Sequence, residues 1–350
     1  MPTTSTTAAL LALSTVAGLV AAWLGTPLPF LIGPLVSAGA VATGLPHKLP
    51  TGYRFPPWLR IGFIAIIGLM IGAQVTPALV RRAPDLALGF AALVLFVGLA
   101  HGFNYAVFRR LGRYDRATAF YSATPGGLFE SLAMGEAAGA DVARLTLQQF
   151  LRVITVVTLL PLGLSIWLGQ PVGSAGGMSL AQGSVSMSSL PAVAVAGLVG
   201  IAAGRLLRLP ARQLTGPMLV AALISLSGIF TLDIPQWLVN VAQVVVGTAL
   251  GMRFAGLSRT LILRGVGLSL VSVAGMLTMA GGCAAVLLPL THQPFDVLFI
   301  SFAPGGVTEM ALVALSLEAS PALVTLHHVW RILVTVVGLA LSARWVRDGL

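Results

Sequence analysis

The chain is poor in cysteine, lysine and acidic residues, and each shortage excludes a class of protein. Its 350 residues include one cysteine, and ten acidic residues stand against twenty bases, of which Lys48 is the only lysine. The single Cys283 excludes an intramolecular disulfide and any multi-cysteine metal site. Charged residues make up 9% of the chain, whereas soluble proteins carry about 25%. A soluble enzyme and a disulfide-stapled secreted domain are therefore both excluded.

Apolar residues fill the chain instead. Hydrophobic residues amount to 57% and the mean hydropathy is +0.96. Apolar runs of about 17–25 residues suit membrane-spanning helices, and such runs cover nearly the whole length. We predict an all-α polytopic membrane protein whose apolar segments lie at 8–24, 30–45, 59–78, 86–108, 117–139, 145–168, 192–207, 214–230, 237–254, 261–288, 297–317 and 322–346.

The net charge of +10 does not indicate a nucleic-acid-binding protein. Such a protein carries lysine and arginine on one face together with exposed aromatic residues. Here the bases fall mostly in the gaps between apolar segments, where membrane topology and contact with anionic lipid account for them.

Two similar motifs dominate the chain. Thr124–Glu130 and Ala303–Glu309 each place Pro-Gly-Gly inside an apolar segment, with a glutamate five residues after the proline, and the prolines are 179 residues apart (304 − 125 = 179). The same offset pairs further residues without a gap: Phe120 with Phe299, Ser122 with Ser301, Thr146 with Thr325 and Arg152 with Arg331. This pattern predicts an internal duplication, with repeat one at 1–169, an uncharged linker at 170–190 and repeat two at 191–350.

The bases predict the topology of the repeats. They cluster at 47–60, 109–116, 205–212, 253–264 and 344–347, whereas the linker at 170–190 has none. If each Pro-Gly-Gly segment is not counted as a crossing, five crossings per repeat place these clusters and both termini in the cytoplasm. Only Arg81 and Arg82 then lie on the wrong side. An odd number of crossings makes the two repeats inverted, and we expect a multi-pass membrane protein.

Each Pro-Gly-Gly segment predicts irregular backbone at membrane depth, which survives only where protein or water satisfies it. A re-entrant hairpin and a pair of crossed, broken helices both meet this demand, and the sequence leaves the choice open. Interrupted segments at matching positions of two halves typically indicate a transporter's binding site. The residues expected to bind substrate are Ser122, Thr124, Pro125, Gly126, Gly127, Arg152, Ser301, Pro304, Gly305, Gly306, Thr308 and Arg331.

Glu130 and Glu309 are the expected ion-coupling residues, because acids inside a membrane usually face a cavity or an ion pathway. The alternative is that each glutamate only stabilises the start of its half-helix through the helix dipole. Arg152 and Arg331 lie well inside apolar segments, so each needs a carboxylate, a carbonyl or an anion as its partner. Pairing with the glutamates and binding an anionic substrate both remain open.

The duplicated blocks resemble those of a known family. Gly33-Pro34 with Gly216-Pro217, and the paired Pro-Gly-Gly-x-x-Glu motifs, are similar to the bacterial inner-membrane AbrB duplication family over nearly the whole chain. This family is unrelated to the soluble DNA-binding regulator of the same name. Its members are labelled regulators or ammonia monooxygenases, and it is similar in organisation to the cation–proton antiporter and anion transporter superfamily. The latter likeness concerns the fold and implies no substrate.

We expect a secondary transporter of a small solute, such as an organic anion, that works by alternating access with H⁺ or Na⁺ coupling. A membrane-embedded sensor or regulator that binds without transport is the main alternative. A membrane monooxygenase is a weaker one, because five histidines and one cysteine do not assemble a copper or iron site. No enzymatic activity, cofactor or metal is expected. The expected partners are the lipid bilayer, the solute and the coupling ion, with a homodimer left open and no nucleic acid.

Overall fold

The computed structural model describes most of the chain, and every regular element in the described part is a helix. The described residues are 2–26, 28–77, 86–169, 189–209, 211–228, 230–257, 259–291, 293–317 and 319–347. The predicted linker at 170–190, apart from its last two residues, and the two outlying bases Arg81 and Arg82 lie outside them.

The helices follow the predicted apolar segments closely. They are α1 (Pro2–Trp23), α2 (Pro29–Gly44), α3 (Pro57–Ala73), α4 (Leu86–Ala106), α5 (Arg116–Ser122), α6 (Leu128–Ala137), α7 (Val142–Leu168), α8 (Leu190–Leu206), α9 (Arg212–Ser227), α10 (Gln236–Gly251), α11 (Arg259–Thr291), α12 (Phe295–Phe302), α13 (Val307–Ser316) and α14 (Pro321–Arg347). Ten of the twelve predicted segments are single helices, and the two that contain Pro-Gly-Gly are each split into a pair.

Prolines explain several of the helix starts. Pro29, Pro57 and Pro321 each stand at the first residue of their helix. Proline suits this position because its fixed φ is already helical and its missing N–H has no partner to lose there. The sequence therefore marks the start of these helices as well as their apolar length.

Six of the described helices are long and apolar enough to cross a membrane by length and composition: α1, α4, α7, α10, α11 and α14. Shorter apolar helices include α2, α3 and α8. With the purely helical architecture, these spans confirm an all-α polytopic membrane protein.

The chain forms two compact units, and each unit combines helices from both predicted repeats. Unit 1 comprises residues 1–81, 158–256 and 311–322, and it therefore contains α1 to α3 and α8 to α10. Unit 2 comprises residues 82–157, 257–310 and 323–350 and contains both Pro-Gly-Gly segments. The predicted division at 170–190 separates the two sequence repeats. The compact units divide the chain differently, because each contains helices from both repeats.

Glycines allow helices of unit 1 to cross closely. Gly247 and Gly251 of α10 lie against the backbone carbonyls of Leu31 and Leu35 of α2, where a Cβ would overlap the carbonyl oxygen. Small residues at such crossings let helix backbones approach.

The matching crossing joins α3 to α9. Gly68 and Gly72 lie against the carbonyls of Leu214 and Met218, and again a Cβ at either glycine would overlap the oxygen. These glycines precede those of α10 by 179 residues, and the carbonyls follow those of α2 by 183 (214 − 31 = 183). The contacts therefore recur in the two halves as the duplicated sequence does.

In unit 2 the first Pro-Gly-Gly segment folds as a helical hairpin. Near its two ends the backbone N–H of Asp141, after α6, donates to the hydroxyl of Thr118 on α5 at 2.7 Å. A Cβ on Gly135 of α6 would lie 3.2 Å from the Cβ of Tyr121 on α5, so the two short helices pack side by side. The structure thus decides, for this segment, the choice that the sequence left open between a hairpin and a crossed, broken helix.

Candidate functional site

The first break in the helices lies between Ser122, where α5 ends, and Leu128, where α6 begins. Its residues from Thr124 to Gly127 are buried. Gly127 has φ 62° and ψ 51°, a left-handed conformation that glycine adopts without a steric cost. The Pro-Gly-Gly sequence therefore interrupts the helix and supplies the residue that the turn requires.

A neutral hydrogen-bond network holds the first break. The side-chain amide of Gln149 on α7 donates to the carbonyl of Tyr121 at 3.0 Å and to the hydroxyl of Thr124 at 2.7 Å. That hydroxyl also lies 2.7 Å from the hydroxyl of Ser131 on α6. Three elements, α5, α6 and α7, are thus tied together at the break.

Two further side chains satisfy carbonyls of this break. The guanidinium of Arg152 donates through Nη1 to the carbonyl of Thr124. The amide of Asn104 on α4 donates to the carbonyl of Ala123 at 3.3 Å, and its oxygen accepts from Ser272 of α11 at 2.8 Å. Since irregular backbone buried from water needs such partners, these residues keep the break stable.

The second break lies between Phe302 and Val307 and is held by a cation. Arg331 on α14 donates through Nη1 to the carbonyl of Ala303 and through Nη2 to the carbonyl of Gly305 at 2.7 Å. The same Nη2 lies 2.7 Å from Nδ1 of His328. One guanidinium therefore holds two carbonyls of the break and a neighbouring imidazole.

The contacts of His328 assign its tautomer. Arginine can only donate hydrogen bonds, so Nδ1 of His328 must accept from Arg331. The proton then lies on Nε2, which donates to the carbonyl of Ile300 at 3.1 Å. His328 is therefore a neutral side chain in this arrangement.

Two hydrogen bonds of the first break have counterparts at the second. Gln149 donates to Tyr121 as His328 donates to Ile300, and all these residues keep the offset of 179. Each arginine likewise donates to the carbonyl immediately before a proline, in Thr124 for one and Ala303 for the other. The duplication thus extends to the contacts around the breaks.

The two breaks meet at Gly126. A Cβ placed on this glycine would lie 3.5 Å from Nε of Arg331 and 3.2 Å from the hydroxyl of Thr335 on α14. Arg331 is therefore in contact with the first break while it is hydrogen-bonded to the second. A methyl group at Gly126 would be in ordinary contact with Arg331 and would crowd only the Thr335 hydroxyl.

Several buried polar atoms around the breaks have no hydrogen-bond partner. They include the hydroxyls of Ser122 and Ser301 and the Nε atoms of Arg152 and Arg331. The serines are 5% and 0% exposed and the arginines 6% and 1%. A buried polar group without a partner costs about 1–3 kcal/mol, and these unsatisfied atoms occupy matching positions in the two breaks.

The two glutamates lie in the first turns of the helices that follow the breaks. Glu130 and Glu309 are half-buried. Each side chain bends back toward the glycine before its helix, since a Cβ on Gly127 would lie 3.5 Å from Oε2 of Glu130 and one on Gly306 would overlap Oε2 of Glu309. This position suits an acid that stabilises a helix start. Both arginines hydrogen-bond to carbonyls of the breaks.

The structure brings the predicted site residues together in unit 2. Those that line the breaks and are buried are Ser122, Thr124, Pro125, Gly126, Gly127, Ser301, Pro304, Gly305 and Thr308, whereas Gly306 is half-buried. Sequence reasoning missed Gln149 and His328 as site residues, although each stands three residues before an arginine and so shares its helix face. It also missed Asn104, which no motif in the sequence indicates.

Other polar groups do not join the site. His327 turns away from the break, toward the carbonyl of Leu323 at 2.9 Å and the ring of Phe90 at 5.0 Å. Among the described residues, no group of three or more His, Cys, Asp or Glu side chains could hold a metal ion.

Comparison with known proteins assigns the family. The family described as "Transition state regulatory protein AbrB" matches residues 39–347. The chain belongs to the AbrB family. Two relatives of this AbrB-family protein are similar along most of its length, and no solved structure matches it significantly.

One relative is "Putative regulator AbrB" of Escherichia coli (strain K12), 26% identical over 306 residues that cover 85% of this chain and 84% of the relative. The other is "Uncharacterized protein YhjN" of Bacillus subtilis (strain 168), 26% identical over 354 residues that cover 93% of this chain and 89% of the relative. These matches confirm the resemblance that the duplicated motifs indicate.

Proposed function

We propose that this AbrB-family protein is a secondary transporter of a small anionic solute that works by alternating access. The observation that carries the proposal is the pair of buried arginines at matching breaks in unit 2. Arg152 and Arg331 are 6% and 1% exposed and keep unpartnered Nε atoms. Buried guanidinium groups of this kind serve well in recognising carboxylates and other anions.

The backbone around the site supports transport over a purely structural role for the arginines. Discontinuous helices at corresponding positions of two repeats are typical of transporter binding sites. The hairpin at the first break also supports inverted repeats, because Thr118 and Asp141, near its two ends, are hydrogen-bonded. A segment that returns to its starting side adds no crossing, which favours an odd number in repeat one, and we propose the same for repeat two. Both termini then lie in the cytoplasm of a bacterial inner membrane.

Glu130 and Glu309 are the proposed coupling groups, acting with H⁺ or Na⁺. In an apolar site the charged form of a carboxylate is disfavoured, so that such a group can trade a proton for a cation as the site opens to each side. Their positions at the starts of α6 and α13 suit this role and also the capping role, so substitution must separate the two.

A sensor or regulator that binds the solute without moving it is the second candidate. The name of the Escherichia coli relative favours it, since that protein is called a regulator. The same anion site would serve either function, and no enzymatic step is proposed for it.

Flux through purified protein separates the two candidates. Proteoliposomes that contain the full chain should accumulate an anion that stabilises the detergent-solubilised protein, and protein-free vesicles should not. Stabilisation by an anion that never enters the vesicles, under any imposed pH or Na⁺ gradient, would contradict transport and leave the regulator.

A further inference from the structure

Two buried arginines lie at the paired breaks. Arg152 donates to the carbonyl of Thr124, two residues before Gly126, and Arg331 contacts Gly126. Arginine keeps its charge under all physiological conditions. Each guanidinium is held by carbonyls of its own break, and a carbonyl supplies a hydrogen-bond acceptor but no negative charge.

The other side chains described around the breaks differ in charge and position. Gln149 is an amide, and His328 is neutral because it accepts a hydrogen bond from Arg331. Glu130 and Glu309 bend back over the glycines that precede their own helices. Since a buried charge is costly unless it is paired, an anionic group bound against each guanidinium would stabilise the site.

The donors left unused come in two matching sets. One set is the Nε of Arg152 with the hydroxyl of Ser122, and the other is the Nε of Arg331 with the hydroxyl of Ser301. All four atoms are buried and have no hydrogen-bond partner. Nη1 of each arginine donates to a carbonyl of its break, which fixes the position of the guanidinium. Its Nε can then donate to a ligand.

We propose that the substrate is a dianion with two carboxylates, of which one binds Arg152 and Ser122 and the other binds Arg331 and Ser301. The inference rests on the proposed transport function and names its substrate class. A dicarboxylate supplies two negative charges and two sets of acceptors at once. A monoanion leaves one guanidinium unpaired, and a cation is repelled by both.

A thermal-shift series on the purified full chain tests the charge of the substrate. The probes are the dicarboxylates from oxalate to adipate, each paired with the monocarboxylate of the same carbon number, at constant ionic strength, with inorganic phosphate included. At least one dicarboxylate should raise the unfolding temperature and bind at least about tenfold more tightly than its monocarboxylate partner, because one charged contact is worth roughly that factor. No stabilisation by any dicarboxylate, or equal stabilisation by the monocarboxylate or by phosphate, would overturn the proposal.

Substitutions then assign the two ends of the dianion. Arg152→Gln and Arg331→Gln should each abolish the preference for the dicarboxylate over its monocarboxylate partner, whereas Arg110→Gln, at an exposed position, should leave it unchanged. Ser122→Ala and Ser301→Ala keep both charges and serve if an arginine variant does not fold, and each should weaken the dicarboxylate several-fold. Retention of full dicarboxylate preference in all four site variants would contradict the assignment.

Flux separates this inference from the proposed function. If the dicarboxylate binds but does not enter proteoliposomes, the dianion site stands and transport fails. If vesicles instead take up the monocarboxylate as fast as the dicarboxylate, transport stands and the dianion inference fails.

Discussion

The two breaks in unit 2 share a motif but are stabilised in different ways. At the first, the neutral side chains of Gln149, Thr124 and Ser131 form the network, and Arg152 holds one carbonyl. At the second, Arg331 alone holds two carbonyls. The two repeats thus share an arginine at matching positions, whereas the polar contacts around the two arginines differ. This is expected if both breaks need a positive charge.

The backbone differs between the breaks as well. Ala123, at the end of α5, is helical with φ −75° and ψ −10°, whereas the matching Ala303 has φ −56° and ψ 136°. Gly127 is left-handed, and Gly306 is not among the residues with positive φ. The same Pro-Gly-Gly sequence thus accommodates two backbone conformations.

The largest expected difference concerns the two arginines. Arg331→Met should destabilise the protein more than Arg152→Met, because it leaves two described carbonyl contacts unmade where the other leaves one. Each lost partner costs about 1–3 kcal/mol. Thermal unfolding in detergent compares the variants, with Arg110→Met as the exposed control. Equal unfolding temperatures for the two variants would show that the additional carbonyl contact of Arg331 does not contribute to stability.

The glutamates offer the next comparison. The double variant of Glu130→Gln with Glu309→Gln should fold and insert, because Gln still provides a hydrogen-bonding side chain at each helix start. It should still exchange substrate across the membrane. An imposed pH or Na⁺ gradient should no longer drive accumulation of the substrate against its own concentration gradient. Uptake into proteoliposomes with and without an imposed gradient measures both activities. Accumulation at the normal rate would return the glutamates to the capping role.

Glycine substitutions sharpen the contrast in backbone shape. Gly127→Ala should cost about 1–2 kcal/mol, because an L-residue is strained in the left-handed conformation. Gly306→Ala should cost less, since φ at Gly306 is not positive and the atoms nearest to its Cβ belong to the flexible side chain of Glu309. Thermal unfolding of both variants checks the order, and a larger loss for Gly306→Ala would contradict the backbone difference.

The smallest effect is expected from exchanging the neutral donors. His328→Gln should cost under about 1 kcal/mol, because a Gln amide can donate to Ile300 and accept from Arg331, as the amide of Gln149 donates at the first break. His328→Leu should cost about 1–3 kcal/mol, because it leaves the Ile300 carbonyl without its donor. If both variants unfold at the same temperature, the hydrogen bonds of His328 are not what stabilises the second break.

Much of the helical architecture could be predicted from the sequence. The predicted segment at 30–45 corresponds to helix Pro29–Gly44, and that at 145–168 to helix Val142–Leu168. Apolar length and proline placement are local signals, so they are readable without the fold. The positions of both breaks were equally readable from Pro-Gly-Gly.

The partners of the site residues could not be read in the same way. Whether Arg331 meets a carboxylate or a carbonyl depends on the path of the backbone at Ala303 and Gly305, which no local pattern specifies. Asn104 reaches Ala123 from a separate helix, and the hairpin depends on a contact between Thr118 and Asp141. Such contacts arise from packing between elements, so the sequence left them as alternatives or did not indicate them.

If the two breaks form one anion site, the full chain should bind a single dicarboxylate, and the stoichiometry of binding distinguishes this from two separate sites. Isothermal titration of the purified full chain with the best-stabilising dicarboxylate should give one ligand per chain, with binding lost or much weakened in both Arg152→Gln and Arg331→Gln. Two ligands per chain, one lost with each arginine, would show instead that each break binds an anion of its own and would contradict the account.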